Sequence, residues 1–308
     1  MITTFLPIPR TLMGPGPSDV HPRILTAMAK PTIGHLDPEF IRLMDEIKVM
    51  LQGVFQTQNA LTIPLSAPGS AGMEASFVNL IEPGDKVIIL QNGVFGGRMA
   101  ENVRRFGGDL VLLETAWGRA IDPEQLRSAL QAHPDTKIVA FVHAETSTGV
   151  RPDAKSLCEL AHAAGCLTIV DCVTSLVGCE VDVDGWGADV VYSGTQKCLS
   201  CAPGLSPFTM SERAASLTQT RKTPVPSWFL DMNLVMGYWG AGSTRAYHHT
   251  APVNALYGLH EALLMATEEG LSAAWARHAQ NHEALKAGLE AMGLRFFVPE
   301  SERLAQLN

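Results

Sequence analysis

Short apolar runs recur along the chain with helical stretches between them, and this alternation constrains the fold more than any other feature. LTIPL (61–65), KVIIL (86–90), DLVLLE (109–114), KIVAFVH (137–143), CLTIVD (166–171) and DVVYSG (189–194) read as strands buried on both faces. Between them, 71–82, 95–106, 123–132 and 153–164 carry helical periodicity and good helix formers such as Ala, Leu and Glu. Asp122-Pro123 and Pro152-Asp153 place helix-opening residues ahead of two of these segments. Strand–helix alternation at this spacing predicts an α/β fold, a doubly wound and mostly parallel sheet flanked by helices.

The pattern changes after residue 252. NALYGLHEALLMATEEG and LSAAWARHAQNHEALKAGLEAMG read as helices joined near Gly270, LRFFVP reads as a new strand, and SERLAQLN ends the sequence. The expected division is an N-terminal segment (1–20), a large domain (21–252), and a helical linker with the start of a small domain (253–308).

With 46% hydrophobic and 18% charged residues, the 308-residue chain fits a soluble globular protein. A net charge of -8 and the lack of a Lys/Arg cluster set nucleic-acid binding aside. No apolar run approaches the ~18 residues of a spanning helix, and prolines break MITTFLPIPRTLMGPGP too early for a signal-peptide core. Cys158, Cys166, Cys172, Cys179, Cys198 and Cys201 are too sparse for a disulfide scaffold and fit a reducing cytoplasm. Cys198 and Cys201 form a lone CxxC, read as small residues in a packed turn. His278 and His282 lie four apart without a third ligand and read as helix-surface histidines, so no metal site is expected.

In an open parallel sheet, ligands bind outside the carboxyl ends of the strands. SAPGSAGMEASFVNL (66–80) is a small-residue turn feeding a helix, so Gly69, Ser70 and Ala71 offer backbone N–H groups at a helix start. Dipole and geometry make that an anion site, although an ordinary tight turn has the same look. The segment matches neither G-x-G-x-x-G nor G-x-x-x-x-G-K-[ST]. Asp171 ends a buried strand, where a carboxylate costs several kcal/mol unless a cationic ring nitrogen, a helix start or a distant arginine offsets it. Lys197, in YSGTQKCLSCAPG, follows another strand with no acid nearby in sequence. Desolvation there lowers an amine's pKa and frees its lone pair for attack on a carbonyl, whereas a snorkelling lysine would want more apolar stem than its neighbours give. HAETSTGV (143–150) offers Glu145, Thr146 and Ser147 as hydrogen-bonding groups. In QNGVFGGR (91–98), Phe95 can stack on a flat ring or pack in the core.

Taken in order, these segments resemble the class V aminotransferases of fold type I, which use pyridoxal 5′-phosphate (PLP). Within them the likeness is strongest to the alanine–glyoxylate and serine–glyoxylate branch. GPGPSDVHPRIL, MDEIK, VFQTQN, EPGDKV, HAETSTGV, IVDCVTSLVG, YSGTQKCLSCAPG, RKTPVPSWFLDM and YHHTAPVNALYGL carry it over nearly the whole chain. The resemblance implies that Lys197 forms the Schiff base with the cofactor and that Asp171 keeps the pyridine nitrogen protonated. Val173 and Phe95 would pack on the two ring faces. Gly69, Ser70 and Gln196 would bind the phosphate, with Pro68 standing where relatives often carry Ser. Thr146 would lie near cofactor and substrate, and His35 would belong to an N-terminal active-site segment. Tyr247 and Thr250 would reach the phosphate of a neighbouring subunit, which implies a homodimer with shared sites.

The implied reaction moves an amino group from a small amino acid, alanine or serine, to glyoxylate or pyruvate. Family members continue into a C-terminal small domain that supplies an arginine for the substrate carboxylate. The resemblance assigns that role to no residue here, Arg303 included, and implies impaired turnover and an exposed apolar patch on the helices of 254–293. A PLP-dependent lyase or desulfurase of the same fold, or a non-catalytic PLP-binding remnant, stand as alternatives.

Overall fold

The computed structural model describes residues 2–240 and 245–308. Helices α1 (Pro22–Met28) and α2 (Pro38–Phe55) precede β1 (Leu61–Leu65). Strand and helix then alternate through α3 (Gly69–Leu80), β2 (Lys86–Gln91), α4 (Val94–Arg105), β3 (Asp109–Glu114), α5 (Pro123–Ala132), β4 (Thr136–Val142), α6 (Ala154–Ala163) and β5 (Leu167–Asp171). The chain continues through α7 (Val183–Trp186), β6 (Val190–Tyr192), β7 (Ser206–Met210), α8 (Glu212–Gln219), α9 (Met232–Trp239), α10 (Val253–Glu269) and α11 (Leu271–Ala291).

The strands form one sheet in the order β1-β7-β6-β5-β4-β2-β3. β3, β2, β4, β5 and β6 run parallel, while β7 is antiparallel to both β6 and β1. After β2 the chain goes outward to β3 and then back across to β4. The strand order therefore reverses between β2 and β4, where the loops diverge and open a crevice at the carboxyl edge.

The local reasons for these elements are visible residue by residue. Asp37, Asp122 and Asp153 accept hydrogen bonds from Glu39, Glu124 and Ser156 N–H respectively, opening α2, α5 and α6. Such caps contribute about 1 kcal/mol each. Along α2, Phe40, Met44, Ile47, Leu51 and Val54 recur at helical spacing and are buried. Each such side chain contributes about 1.5–3 kcal/mol on leaving water. The central strands β2, β4 and β5 are buried on both faces, as the unbroken apolar runs predict.

Three expectations change. β3 lies at the sheet edge, and its residues are half-buried or exposed rather than buried on both faces. β7 is absent from the apolar runs, because SPFTM mixes a proline and a threonine into a strand set by long-range pairing with β1 and β6. LRFFVP forms no strand. Gly293, at φ 82°, ends α11. Arg303 then folds the segment back, donating from Nε and Nη2 to the Val298 carbonyl (3.2 and 2.9 Å) and lying over the Phe296 ring. α10 packs on α1 and α2. α11 buries only Ala274 and His282 and leaves Leu285 exposed, as is Met292 just past its end.

Candidate active site

Asp171 is the last residue of β5 and lies in parallel register beside Tyr192, the last residue of β6. Its side chain is 2% exposed. Oδ1 accepts from the Val173 N–H (2.8 Å) and Oδ2 from the Tyr192 hydroxyl (2.8 Å). Burial pushes the carboxyl up to about 7, and these two hydrogen bonds bring it only part of the way back. Neither donor is cationic.

Lys197 stands in the turn after β6, half-buried. Burial holds its amine below the ordinary lysine range, with only a partial offset from Cys198 and Asp171. Nζ donates to the Pro15 carbonyl at 2.6 Å, a contact across 182 residues. Ser18 ties the same segment down, donating from N to the Gln196 carbonyl (3.2 Å) and from Oγ to the Lys197 carbonyl (3.2 Å). Gly16 has φ 119°, and a Cβ there would sit 2.8 Å from Nζ. Only glycine lets this strap cross the amine. Among the described residues no carboxylate pairs with Lys197, so the amine is kept available without an ion pair.

Gly69 opens α3 with no side-chain cap on the helix start; Ala71 N donates to the Pro68 carbonyl (2.7 Å), and the Gly69 and Ser70 N–H groups are the ones open to an anion there. Gly69 is buried, and a Cβ there would meet Val173 Cγ2 and the Ser193 carbonyl, both at 3.2 Å. The missing side chain brings the turn against the Val173 side chain and the Ser193–Gly194 backbone. Ser70 is exposed. Gln196 lies beside Gly194, and its Oε1 is buried without a partner among the described residues.

Phe95 is held from below by Glu145, a fully buried carboxylate after β4. Glu145 Oε2 accepts from the N–H groups of Phe95 (3.2 Å) and Gly96 (3.3 Å), and Oε1 from the Ser147 hydroxyl (2.6 Å). A carboxylate at the start of α4 complements the helix dipole. Gly93 makes room for it, since a Cβ there would come within 2.4 Å of the Glu145 side chain. Thr146 Oγ1 lies 3.1 Å from Thr174 Oγ1, which donates to the Ala144 carbonyl.

A cavity of about 150 Å³ surrounds Lys197, lined also by Gly14–Gly16, Ser18, Thr174, Ser200, His278 and Gln306. His35, Tyr247 and Thr250 do not line it. They form a separate group in which the Tyr247 hydroxyl lies 3.1 Å from Thr250 Oγ1 and the His35 and Tyr247 rings are 5.0 Å apart. Ser66 and His249, 2.7 Å apart, link the region of that group to the turn before α3. Tyr247 is 64% exposed.

The histidine expectation is corrected. His282 is buried against Asn308 and the Phe296 ring, and His278 turns into the Lys197 cavity, because α11 lies across the site. No metal-binding group is found among the described residues. Sequence reasoning missed Tyr192, Pro15, His278 and Gln306 as site residues. Tyr192 could be found by assuming that β5 and β6 pair; the other three are brought in by folding alone.

A doubly wound sheet brings an amine, a buried acid and a helix start without a side-chain cap to its carboxyl edge, the place where open α/β enzymes hold their ligands. The chain belongs to the class-V aminotransferase family, whose sequence model matches residues 21–307. It is similar to alanine–glyoxylate aminotransferase of Drosophila melanogaster, at 41% identity over 97% of this chain and 76% of that protein. Similarity to (S)-ureidoglycine–glyoxylate transaminase of Bacillus subtilis is 39%, over 95% and 74%. The crystal structure of alanine–glyoxylate aminotransferase from Nostoc sp. superposes with a TM-score of 0.96 at 48% identity, covering 99% of this chain and 80% of that one. No helix among the described residues is long and apolar enough to cross a membrane.

Proposed function

We propose that this chain is a PLP-dependent aminotransferase that moves the amino group of a small amino acid, alanine or serine, to glyoxylate or pyruvate. The observation that carries the reading is Asp171, a carboxyl buried at a strand end with no cationic hydrogen-bond partner among the described residues and pushed up to about 7. A ring nitrogen that must stay protonated is the partner it lacks. The residues present fit the cofactor: the start of α3, without a side-chain cap, suits a phosphate, Gly69 gives the close approach, and Gln196, whose Oε1 lacks a partner among the described residues, lies beside Gly194 next to that turn.

When bound, the cofactor's ring supplies a sink for the electron pair left at the donor's α-carbon. Asp171 holds the pyridine-nitrogen proton through its charge. Lys197 Nζ, its pKa lowered by burial, takes the α-proton and gives it back as general acid. The Pro15 carbonyl orients Nζ. Val173 and Phe95 are offered as the ring's two walls, Ser70 and Gln196 as phosphate ligands, and Thr146 as a neighbour of cofactor and substrate. Tyr247 and Thr250 are assigned to the phosphate of a second subunit in a homodimer, a reading supported by the exposure of Tyr247, and His35, whose ring lies 5.0 Å from that of Tyr247, to the N-terminal segment of the site. Six unpaired cysteines support a reducing compartment, the cytoplasm. The desulfurase alternative gains nothing from the thiols described here, since burial pushes Cys198 to about 12 and Cys201 to about 11.

The test is spectroscopic. PLP added to the purified chain gives a visible band from the lysine-linked cofactor, alanine or serine bleaches it, and glyoxylate restores it. A band that ignores every amino donor supports the non-catalytic remnant and rejects transamination.

A further inference from the structure

Ser66, His249, His248 and the Trp228 carbonyl form a line that runs from the turn before α3 to the segment ahead of α9. Ser66 directly follows β1, and its Oγ lies 2.7 Å from His249 Nε2. His249 Nδ1 lies 2.8 Å from His248 Nδ1, and His248 Nε2 lies 3.4 Å from the Trp228 carbonyl. Packing fixes both rings. His248 is 7% exposed and stacks on the Trp228 ring at 4.4 Å, and His249 makes edge contacts with Phe229 (5.2 Å) and Tyr238 (5.6 Å).

The line has one direction. A carbonyl only accepts, so His248 Nε2 carries a proton and, with that ring neutral, its Nδ1 is bare. The contact between the two Nδ1 atoms needs one proton, which His249 then supplies. His249 is itself neutral, since burial, with His248 and His35 nearby, pushes its ring down to about 4. Its Nε2 is therefore a bare acceptor, and the Ser66 hydroxyl donates to it.

This bond joins two segments that matter for the same ligand group. Ser66 begins the turn whose far end, Gly69 and Ser70, is offered to the cofactor phosphate. His249 stands between Tyr247 and Thr250, whose hydroxyls lie 3.1 Å apart and are offered to the phosphate of a second subunit. The two segments meet at Ser66 and His249, across 183 residues of chain.

We infer that His249 is a positioning residue for phosphate recognition, accepting from Ser66 to hold the 66–70 turn in place against the 247–250 loop. This inference rests on the aminotransferase reading above. The hydrogen of Ser66 is committed to His249, so the pair contributes the placement of the turn rather than a contact of its own. That contribution is felt by a ligand that carries a phosphate and not by the ring alone.

Nitrogen NMR of the histidine rings tests the direction in the unaltered protein, because tautomers follow from the hydrogen-bond network. His249 should be protonated at Nδ1 and bare at Nε2, and the opposite pattern overturns the inference without any variant. Dissociation constants for PLP and for pyridoxal, which lacks the phosphate, are read from the visible band. Ser66→Ala and His249→Leu should each lower the preference for PLP over pyridoxal by about tenfold and leave the pyridoxal constant within about twofold. His249→Gln, whose Oε1 can stand where Nε2 stood and accept from Ser66, should keep the preference, and should lose it when combined with Ser66→Ala. An unchanged preference in Ser66→Ala, or a His249→Gln rescue that survives Ser66→Ala, overturns the inference. So does an equal loss of both ligands, which marks general damage to the fold. If neither PLP nor pyridoxal gives a band, the aminotransferase reading itself falls, a result distinct from loss of the phosphate preference alone.

Discussion

Two aspartates lie at the ends of neighbouring strands, Asp171 closing β5 and Asp189 just ahead of β6, each 2% exposed, and their surroundings differ in kind. Asp189, at the amino end of β6, accepts from Arg213 Nη2 (2.7 Å), the Thr168 N–H (2.9 Å) and the Ser211 hydroxyl (2.8 Å), with His162 Nε2 3.0 Å away. Burial alone would raise its pKa, but these partners outweigh burial and hold it below the ordinary range. Asp171, at the carboxyl end of β5, has two neutral donors and is pushed up to about 7. One acid is satisfied by its own chain and ties α6, α8 and the sheet together. The other is left short of positive charge at the edge where ligands bind. Both side chains are closed to solvent; Asp189 has a cation of its own chain beside it, whereas Asp171 has none among the described residues, and on that difference the role proposed for Asp171 rests.

That contrast can be broken most strongly at Asp171. Asp171→Asn keeps the shape and removes the charge, so kcat with alanine and glyoxylate should fall by about a hundredfold to a thousandfold while the fold stays intact. Thermal melts and single-turnover kinetics check both halves. Asp189→Ala should do the reverse. It lowers stability by about 3 kcal/mol, the low end for a broken buried pair because Arg213 is half exposed and rehydrates. Urea unfolding reads that loss, and the surviving enzyme's kcat/KM should stay within a fewfold of the parent.

Tyr192→Phe is a finer cut. It takes one of the two donors from Asp171, so the Asp171 titration should move further up and kcat/KM drop by about tenfold. A pH profile of the visible band reports the first effect and steady-state rates the second. The smallest signal is in the cofactor-free protein. Between about pH 4 and 7, folded Asp171 keeps a proton that the unfolded chain has released. Stability therefore falls as pH rises through that window, by at most about 1.4 kcal/mol per pH unit. Asp189 works the opposite way: its contribution is present above the unfolded pKa and is lost as pH falls through its lowered folded value. Unfolding curves across the window should lose the Asp171 slope in Asp171→Asn.

How much of this was legible in the sequence follows from range and burial. The central strands could be read because both of their faces are buried, so apolar side chains run on without interruption. Asp171 and Lys197 stood out because charge at the end of such a run needs a reason. β7 was not readable, since SPFTM takes its strand character from partners rather than from its own pattern. The Pro15 carbonyl over Lys197 was beyond reach for the same cause, a contact across 182 residues at a glycine whose value appears only when the strap is in place. His278 misled in the other direction. Its spacing looked like a helix surface, and only the placement of α11 across the site turns it inward.

The central claim is that the amine at position 197 carries the cofactor. Borohydride reduction of the PLP-loaded protein, followed by peptide mass mapping, should place one pyridoxyl-phosphate adduct on Lys197, with none on any other lysine at equimolar cofactor. An adduct on a different lysine, or full colour and turnover in Lys197→Ala, would contradict it.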